Sequence, residues 1–203
     1  MTVPGILEFC VFSRRPTLTA SRFIKGLHPK TAIPPTREAV KKVLDAGWWA
    51  QIKINGHRVQ LHINATPDEP VLAFTRQGTP HTKALPAAVT AEVRRLFAPD
   101  SGWNVIDAEW DKPEDRIYAF DVLRFNGRML DALPFQERFA LLPRVYASGI
   151  VETLGIIRSL DRCMDILASD ERKIEGLVFK APASEGFQDS AILRCICPAH
   201  ARH

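Results

Sequence analysis

The chain has 203 residues, of which 46% are hydrophobic and 25% charged, so it is long enough for a sizeable core in one large domain or a tight pair of subdomains. No apolar run reaches the ~18 residues a membrane-spanning helix needs, and the N-terminal MTVPGILEFCVFSRR has no basic segment ahead of an apolar one, which argues against a secretory signal and for the cytoplasm. Net charge is +4, but residues 1–45 hold eight Lys/Arg against three Asp/Glu while the remainder holds 19 against 20.

Residues 1–35 read as irregular, with PTLTASR and HPKTAIPP as extended segments or turns. Arg14, Arg15, Arg22, Lys25 and Lys30 make this stretch a basic arm, suited to nucleic-acid phosphates and equally to plain solvation. Thr36–Ala46 reads as a helix, with Thr36 as its cap and Gly47 as its stop. Trp48–Ile54 and Arg58–Ala65 alternate around Asn55-Gly56 and predict a β-hairpin. Val71–Arg76 is a short strand, and Lys83–Phe97 an amphipathic helix with Leu85, Val89, Val93 and Leu96 on one face. Trp103–Trp110 and Arg116–Arg124 are strands around DKPED, and Asn126-Gly127 is a turn. Phe135–Ala147 reads as a helix perturbed by Pro143, Gly155–Ser159 as a strand, Leu160–Ala168 as a helix, and Gly176–Lys180 and Ile192–Cys197 as the last strands. Many strands and few helices predict an antiparallel α+β fold. No internal repeat and no Walker or Rossmann phosphate loop is present.

The four cysteines, Cys10, Cys163, Cys195 and Cys197, are not a disulfide framework in a chain this long. The tail CICPAHARH gathers Cys195, Cys197, His200 and His203, a soft ligand set for zinc, but the spacing is tighter than in a zinc finger. A strand with two buried thiols and a frayed tail is the plainer reading.

Four short segments carry residues suited to a nucleoside triphosphate. In KINGHR, Lys53 is a candidate nucleophile on a phosphoryl group and Arg58 a fork of donors for phosphate. In FTRQG, Arg76 is a second anion contact. IDAEW with IYAFDVL supplies Glu109, for a divalent cation or a ribose hydroxyl, and Phe120, a ring face for a base. EGLVFK supplies Glu175 for a cation and Lys180 for phosphate. Each motif alone is weak: a lysine after a strand is usually on the surface, and a strand phenylalanine is usually core.

In this order the motifs resemble the covalent nucleotidyltransferase superfamily of ATP-dependent DNA ligases, RNA ligases and mRNA capping guanylyltransferases. The family's Lys-x-Asp-Gly-x-Arg matches KINGHR, its arginine–glycine segment TRQG, its acidic strand IDAEW, its aromatic strand YAFDVL and its glutamate strand EGLVFK, over about residues 45–197. FDVLRFNGRMLDALPFQERFALL resembles the DNA-ligase form of its region.

The resemblance implies two packed antiparallel sheets with flanking helices, ATP-grasp-like, in a nucleotidyltransferase domain over residues 46–198. A basic arm with a lead-in helix (1–45) precedes it and a tail (199–203) follows. It implies that Lys53 forms lysyl-AMP with ATP and magnesium, and that AMP passes to nicked duplex, DNA favoured. Gln51 falls where the family has an acidic group that reads the base, with Ile52 beside it in the nucleotide set. Arg58 contacts the nucleotide or the nicked strand's phosphate, Arg76 belongs to the nucleotide set, Phe120 stacks on adenine, Glu109 holds ribose or metal, Glu175 holds metal and Lys180 sits near the phosphates.

Three departures stand out. Asn55 replaces the family's aspartate and drops a negative charge beside Lys53. In AILRCIC, Arg194 stands for the first of two phosphate lysines, but Ile196 cannot stand for the second. The residues after the last predicted strand are too few for the oligonucleotide-binding barrel of family ligases. The expectation is therefore a minimal core, a partner protein that supplies the clamp, a fragment, or a binding module for nucleic-acid ends that has lost catalysis.

Overall fold

The computed structural model of the chain describes residues 22–26, 28–144, 149–187 and 191–200. Arg14, Arg15, Cys10 and His203 lie outside the described residues. The elements in order are β1 (Thr31–Ala32), α1 (Arg37–Asp45), β2 (Trp49–Ile54), β3 (His57–Asn64), β4 (Leu72–Phe74), α2 (Ala87–Phe97), β5 (Trp103–Asp111), β6 (Arg116–Phe125), β7 (Arg128–Met129), α3 (Phe135–Ala140), β8 (Val151–Thr153), α4 (Leu160–Leu167), β9 (Ile174–Lys180) and β10 (Ile192–Ile196).

Two sheets form. The first runs β1-β10-β9-β2, the second β4-β3-β5-β6-β7 with β8 paired to β6. The fold is α+β, as expected. The pairing is antiparallel except for β1 on β10 and β8 on β6, both parallel. These two strands have two and three residues, too short for an alternation pattern to reveal them.

Period-two alternation sorts the first sheet's faces. Ala50, Leu177, Phe179 and Cys195 are buried with Val40 of α1 and with Cys163, Ile166 and Leu167 of α4. Cys195 and Cys197 are thus core residues, and burial pushes the Cys195 thiol up to about 11. In the second sheet Val59, Leu61, Ile63, Ile106 and Ala108 pack with Val89, Val93 and Phe97 of α2. Among the described residues no helix is long and apolar enough to cross a membrane.

Asn55-Gly56 does not close a hairpin. β2 pairs with β9 and β3 with β5 and β4, so the chain crosses from one sheet to the other here. The two-residue hairpin turn favoured by Asn-Gly needs a positive φ at both residues, and neither has one. Asn126-Gly127 does, at φ 46° and 79°, and it joins β6 to β7. Gly56 serves a different purpose: a Cβ there would stand 2.9 Å from the Trp110 carbonyl oxygen. Prolines shift the other boundaries. α2 begins only after Pro86, because the residue before a proline avoids helical ψ, and α3 stops at Ala140, short of Pro143. The strand expected at Gly155–Ser159 is instead an isolated bridge between Ile157 and Ala50, preceded by β8.

Two β-bulges set the site. Lys53 pairs with Gly176 and Ile54 with Ile174, which leaves Glu175 as the extra residue of β9. Asp107 pairs with Asp121 and Ala108 with Ala119, which leaves Phe120 as the extra residue of β6. A bulge re-aims side chains. Strict alternation would turn Glu175 toward α4 with Leu177 and Phe179, and Asp121 toward α2 with Ala119. The first bulge brings Glu175 to the face that carries Lys53. The second brings Asp121 to the face of Asp107.

Candidate active site

A cavity of about 560 Å³ lies between the sheets. The first sheet contributes Gln51, Lys53, Glu175, Val178, Lys180 and Ile192, the second Arg58, Glu109 and Phe120, and the turn after β4 contributes Arg76 and His81. Ile52 also lines it, with Ile54, Tyr118 and Leu154 forming a small apolar cluster behind.

The Lys53 ammonium is ion-paired with Glu175, both side chains half-buried. Arg58 is gripped by Asp107: Nε donates to Oδ1 at 2.9 Å and Nη2 donates to Oδ2. Its guanidinium carbon lies 5.7 Å from the Phe120 ring centroid. On the facing sheet Lys180 is 3% exposed. Its Nζ donates to the Phe120 carbonyl at 3.2 Å and lies 4.7 Å from the Phe120 ring and 4.4 Å from that of Phe135. Phe120 therefore carries a cation near its ring from each sheet, an arrangement that draws on the ring quadrupole.

Two ionisations are strongly displaced. Burial pushes the Glu109 carboxyl up to about 7, although Lys53 and Arg58 pull the other way. Burial also pulls Lys180 down to about 8, against the opposing influence of Asp121 and Asp107. Displaced groups of this kind, converging on one cleft, mark a functional site.

Gln51 is 2% exposed, and its Nε2 donates to the Leu154 carbonyl at 2.9 Å. A carbonyl only accepts, so the amide orientation is set and Oε1 is left as an acceptor. Among the described residues that oxygen has no partner.

The candidates from the sequence thus largely converge: Gln51, Ile52, Lys53, Arg58, Arg76, Glu109, Phe120, Glu175 and Lys180 all line one cavity. Arg194 does not. It is exposed on β10, in the row of Val178 and Gln51. Ile196 lies in the row of Gly176 and Lys53, where its side chain offers no charge. Arg22, Lys25 and Lys30 are exposed. Sequence reasoning missed Asp107, although it lies two before Glu109, the strand spacing that shares a face. It also missed His57, His81 and Lys112 at the cavity wall, for which no motif speaks. His81 Nε2 donates to the Arg58 carbonyl at 3.1 Å and so supports the strand that carries Arg58.

No protein-family model matches the sequence, and no curated protein matches it either. Solved structures do. Mycobacterial DNA ligase D in complex with ATP superposes with a TM-score of 0.53 at 19% identity, over 84% of this chain and 60% of that one. The fold is that of a ligase nucleotidyltransferase domain. An archaeal ATP-dependent RNA ligase gives 0.49 at 19% identity over 86% of this chain and 49% of that one. The ligase domain from M. tuberculosis LigD gives 0.47 at 19% identity over 72% and 52%. The chain spans three fifths or less of the length of these structures. The nucleotidyltransferase fold has Lys53 on its strand β2 and Glu175 on β9, facing the cavity between the sheets.

Proposed function

We propose that the chain is the nucleotidyltransferase core of an ATP-dependent polynucleotide ligase. The observation that carries this reading is the convergence of Lys53, Glu109, Phe120, Glu175 and Lys180 on one cavity of about 560 Å³. Lys53 Nζ, once deprotonated, attacks the α-phosphorus of ATP; a P–N bond forms and pyrophosphate leaves. An oxygen of a 5′-phosphate end then displaces the Lys53 amine, which gives a P–O–P link. A 3′-hydroxyl oxygen attacks the 5′-phosphorus, AMP leaves and a phosphodiester is closed.

Phe120 offers its ring to the adenine. Gln51 Oε1 accepts from the exocyclic amine, a donor that adenine has and that guanine, with a carbonyl at that position, lacks. Lys180 and Arg58 bring positive charge to the phosphates. Glu109 and Glu175 fit a magnesium ion, which takes one or two carboxylates and leaves its other positions to phosphates and water. Held by these carboxylates, it would supply positive charge against the phosphoryl group being transferred. DNA is the favoured strand, because the segment through α3 resembles the DNA-ligase form; RNA ligation or guanylyl transfer is the alternative within the same chemistry.

The test is incubation with α-labelled ATP and magnesium. Label on the wild-type protein and none on Lys53→Ala is expected, with little label from GTP. Equal labelling of Lys53→Ala would remove Lys53 as nucleophile. Nicked DNA compared with nicked RNA then separates the substrates. A second reading, a nucleic-acid-end binding module with weakened catalysis, is favoured by Ile196 beside the Lys53 row and by Arg194 standing outside the cavity wall. Binding of nicked duplex with no lysyl-AMP from any nucleotide would support that reading.

A further inference from the structure

Phe120 lines the cavity, yet the residue that follows it is tied to a helix outside the cavity. We propose that Arg138 is a positioning residue for the base-stacking ring: through Asp121 it pins the β6 bulge, and with it Phe120, to α3. The proposal rests on the reading of Phe120 as the adenine platform and names what sets the place of that ring.

Phe120 is the extra residue of β6, so its register against β5 does not fix it. The next residue does. Asp121 Oδ1 accepts from the Val122 N–H at 2.8 Å and from Arg138 Nε at 3.0 Å, and Oδ2 accepts from Arg138 Nη2 at 3.0 Å. Arg138 Nη1 donates to the Leu133 carbonyl at 2.7 Å, so all three guanidinium nitrogens are engaged. The guanidinium carbon lies 5.8 Å from the Phe135 ring centroid and 5.0 Å from that of Phe187. Its direction is fixed on every side.

The helix that carries Arg138 is anchored on the other sheet. The Phe135 N–H donates to the Ser184 carbonyl at 3.0 Å and the Gln136 N–H to the Pro182 carbonyl at 2.9 Å, both in the loop that follows Lys180. The Phe135 ring lies 4.4 Å from Lys180 Nζ and 6.2 Å from the Trp49 ring. The Phe120 carbonyl in turn accepts from Lys180 Nζ. The bulge is thus held from β9 by Lys180 and from α3 by Arg138. Stability alone does not account for the second hold. Arg138 is 0% exposed and Asp121 2%, and a buried ion pair adds little over apolar side chains of the same volume. What a planar fork on both carboxylate oxygens adds is direction. Neither residue lines the cavity, so the effect passes through Phe120.

The experiment is equilibrium binding of adenosine 5′-monophosphate to the full 203-residue chain. AMP has no pyrophosphate to lose, so the result is independent of whether Lys53 becomes adenylylated; a failure of the ligase reading shows instead as no label from ATP. Arg138→Lys keeps the charge and loses the fork, and should weaken AMP about tenfold, the scale of one base stack. Asp121→Asn/Arg138→Met cuts the link without stranding a charge and keeps an acceptor for the Val122 N–H. It should stay folded in thermal melts and weaken AMP by a similar factor. In a Phe120→Ala background the same changes should cost less than about twofold, because the ring they position is gone. A loss that persists in full without the Phe120 ring overturns the proposal, since a general loosening of the fold would do the same. So does a folded Arg138 variant that binds AMP as the wild type does, or a Phe120→Ala variant that binds it unchanged.

Discussion

Lys180→Met is expected to stabilise the protein while it damages the site. Lys180 is 3% exposed, and burial takes it from the ordinary 10.5 down to about 8. At pH 7 it is charged in both the folded and the unfolded chain, and at about 1.4 kcal/mol per pH unit the displacement costs the fold about 3 kcal/mol. Methionine has nearly the same volume and carries no charge. It forfeits the Nζ hydrogen bond to the Phe120 carbonyl and the contacts of Nζ with the Phe120 and Phe135 rings, together worth roughly 1–2 kcal/mol. The net gain is about 1–2 kcal/mol, or about 4 °C in melting temperature for a chain of this size. The sign with pH follows from a folded pKa below the unfolded one. The stability tied to Lys180 is fully present above about 10.5 and is lost as pH falls through about 8. The advantage of Lys180→Met should therefore shrink by about 2 kcal/mol between pH 7 and pH 9.5 and all but vanish there. Thermal or urea melts at the two pH values measure it, and α-labelled ATP should show lysyl-AMP formation reduced at least about tenfold. A variant less stable than wild type at pH 7, or a gap that does not change with pH, would refute the idea that a buried charge is held there for function.

Asp121→Ala strands a cation: Arg138 is 0% exposed and donates to both Asp121 oxygens at 3.0 Å. A loss of about 3–5 kcal/mol is expected in urea melts, and a loss below about 1 kcal/mol would show that the pair is not needed. Gly176→Ala places a Cβ 2.1 Å from the Cys195 carbonyl oxygen at a φ of 151°, so β9 and β10 must part. A loss of roughly 3 kcal/mol or more should appear in the melting curve, with labelling by ATP lost alongside. Ile196→Lys puts a cation in the row of Lys53 and Gly176. Lysyl-AMP formation is expected to rise severalfold, and an unchanged rate would mean that other cations already serve the phosphates.

The motif residues were legible because each sits within a few positions of a glycine, a charge or an aromatic ring in its own short segment. Lys53, Glu109, Phe120, Glu175 and Lys180 needed only the two sheets to face each other in order to meet. What stayed hidden was parity. A strand pattern assumes a side-chain period of two; the bulge at Phe120 breaks it without any mark in residue type, and that at Glu175 is marked only by Gly176 beside it. Asp121 was hidden for the same reason. The Asn55-Gly56 hairpin failed because local turn chemistry competes with tertiary pairing, and pairing of β2 with β9 and of β3 with β5 prevails. The docking of residues 22–26 was hidden because what holds it, the Gln60 amide on the Ile24 backbone, lies 36 residues away in sequence.

Asn55 takes on a different meaning in this setting. As a departure from a family pattern it removes a negative charge beside the nucleophile. In the structure it is exposed, its N–H donates to the Lys173 carbonyl at 2.8 Å, and its Nδ2 donates to the Arg172 carbonyl at 3.1 Å. An aspartate carboxylate cannot make the second bond, because at neutral pH it only accepts. The amide therefore ties the crossing between the sheets to the residues just ahead of β9. Two residues beyond Lys173 the bulge turns Glu175 toward Lys53. The asparagine thus fixes the start of the segment that sets the Lys53–Glu175 ion pair.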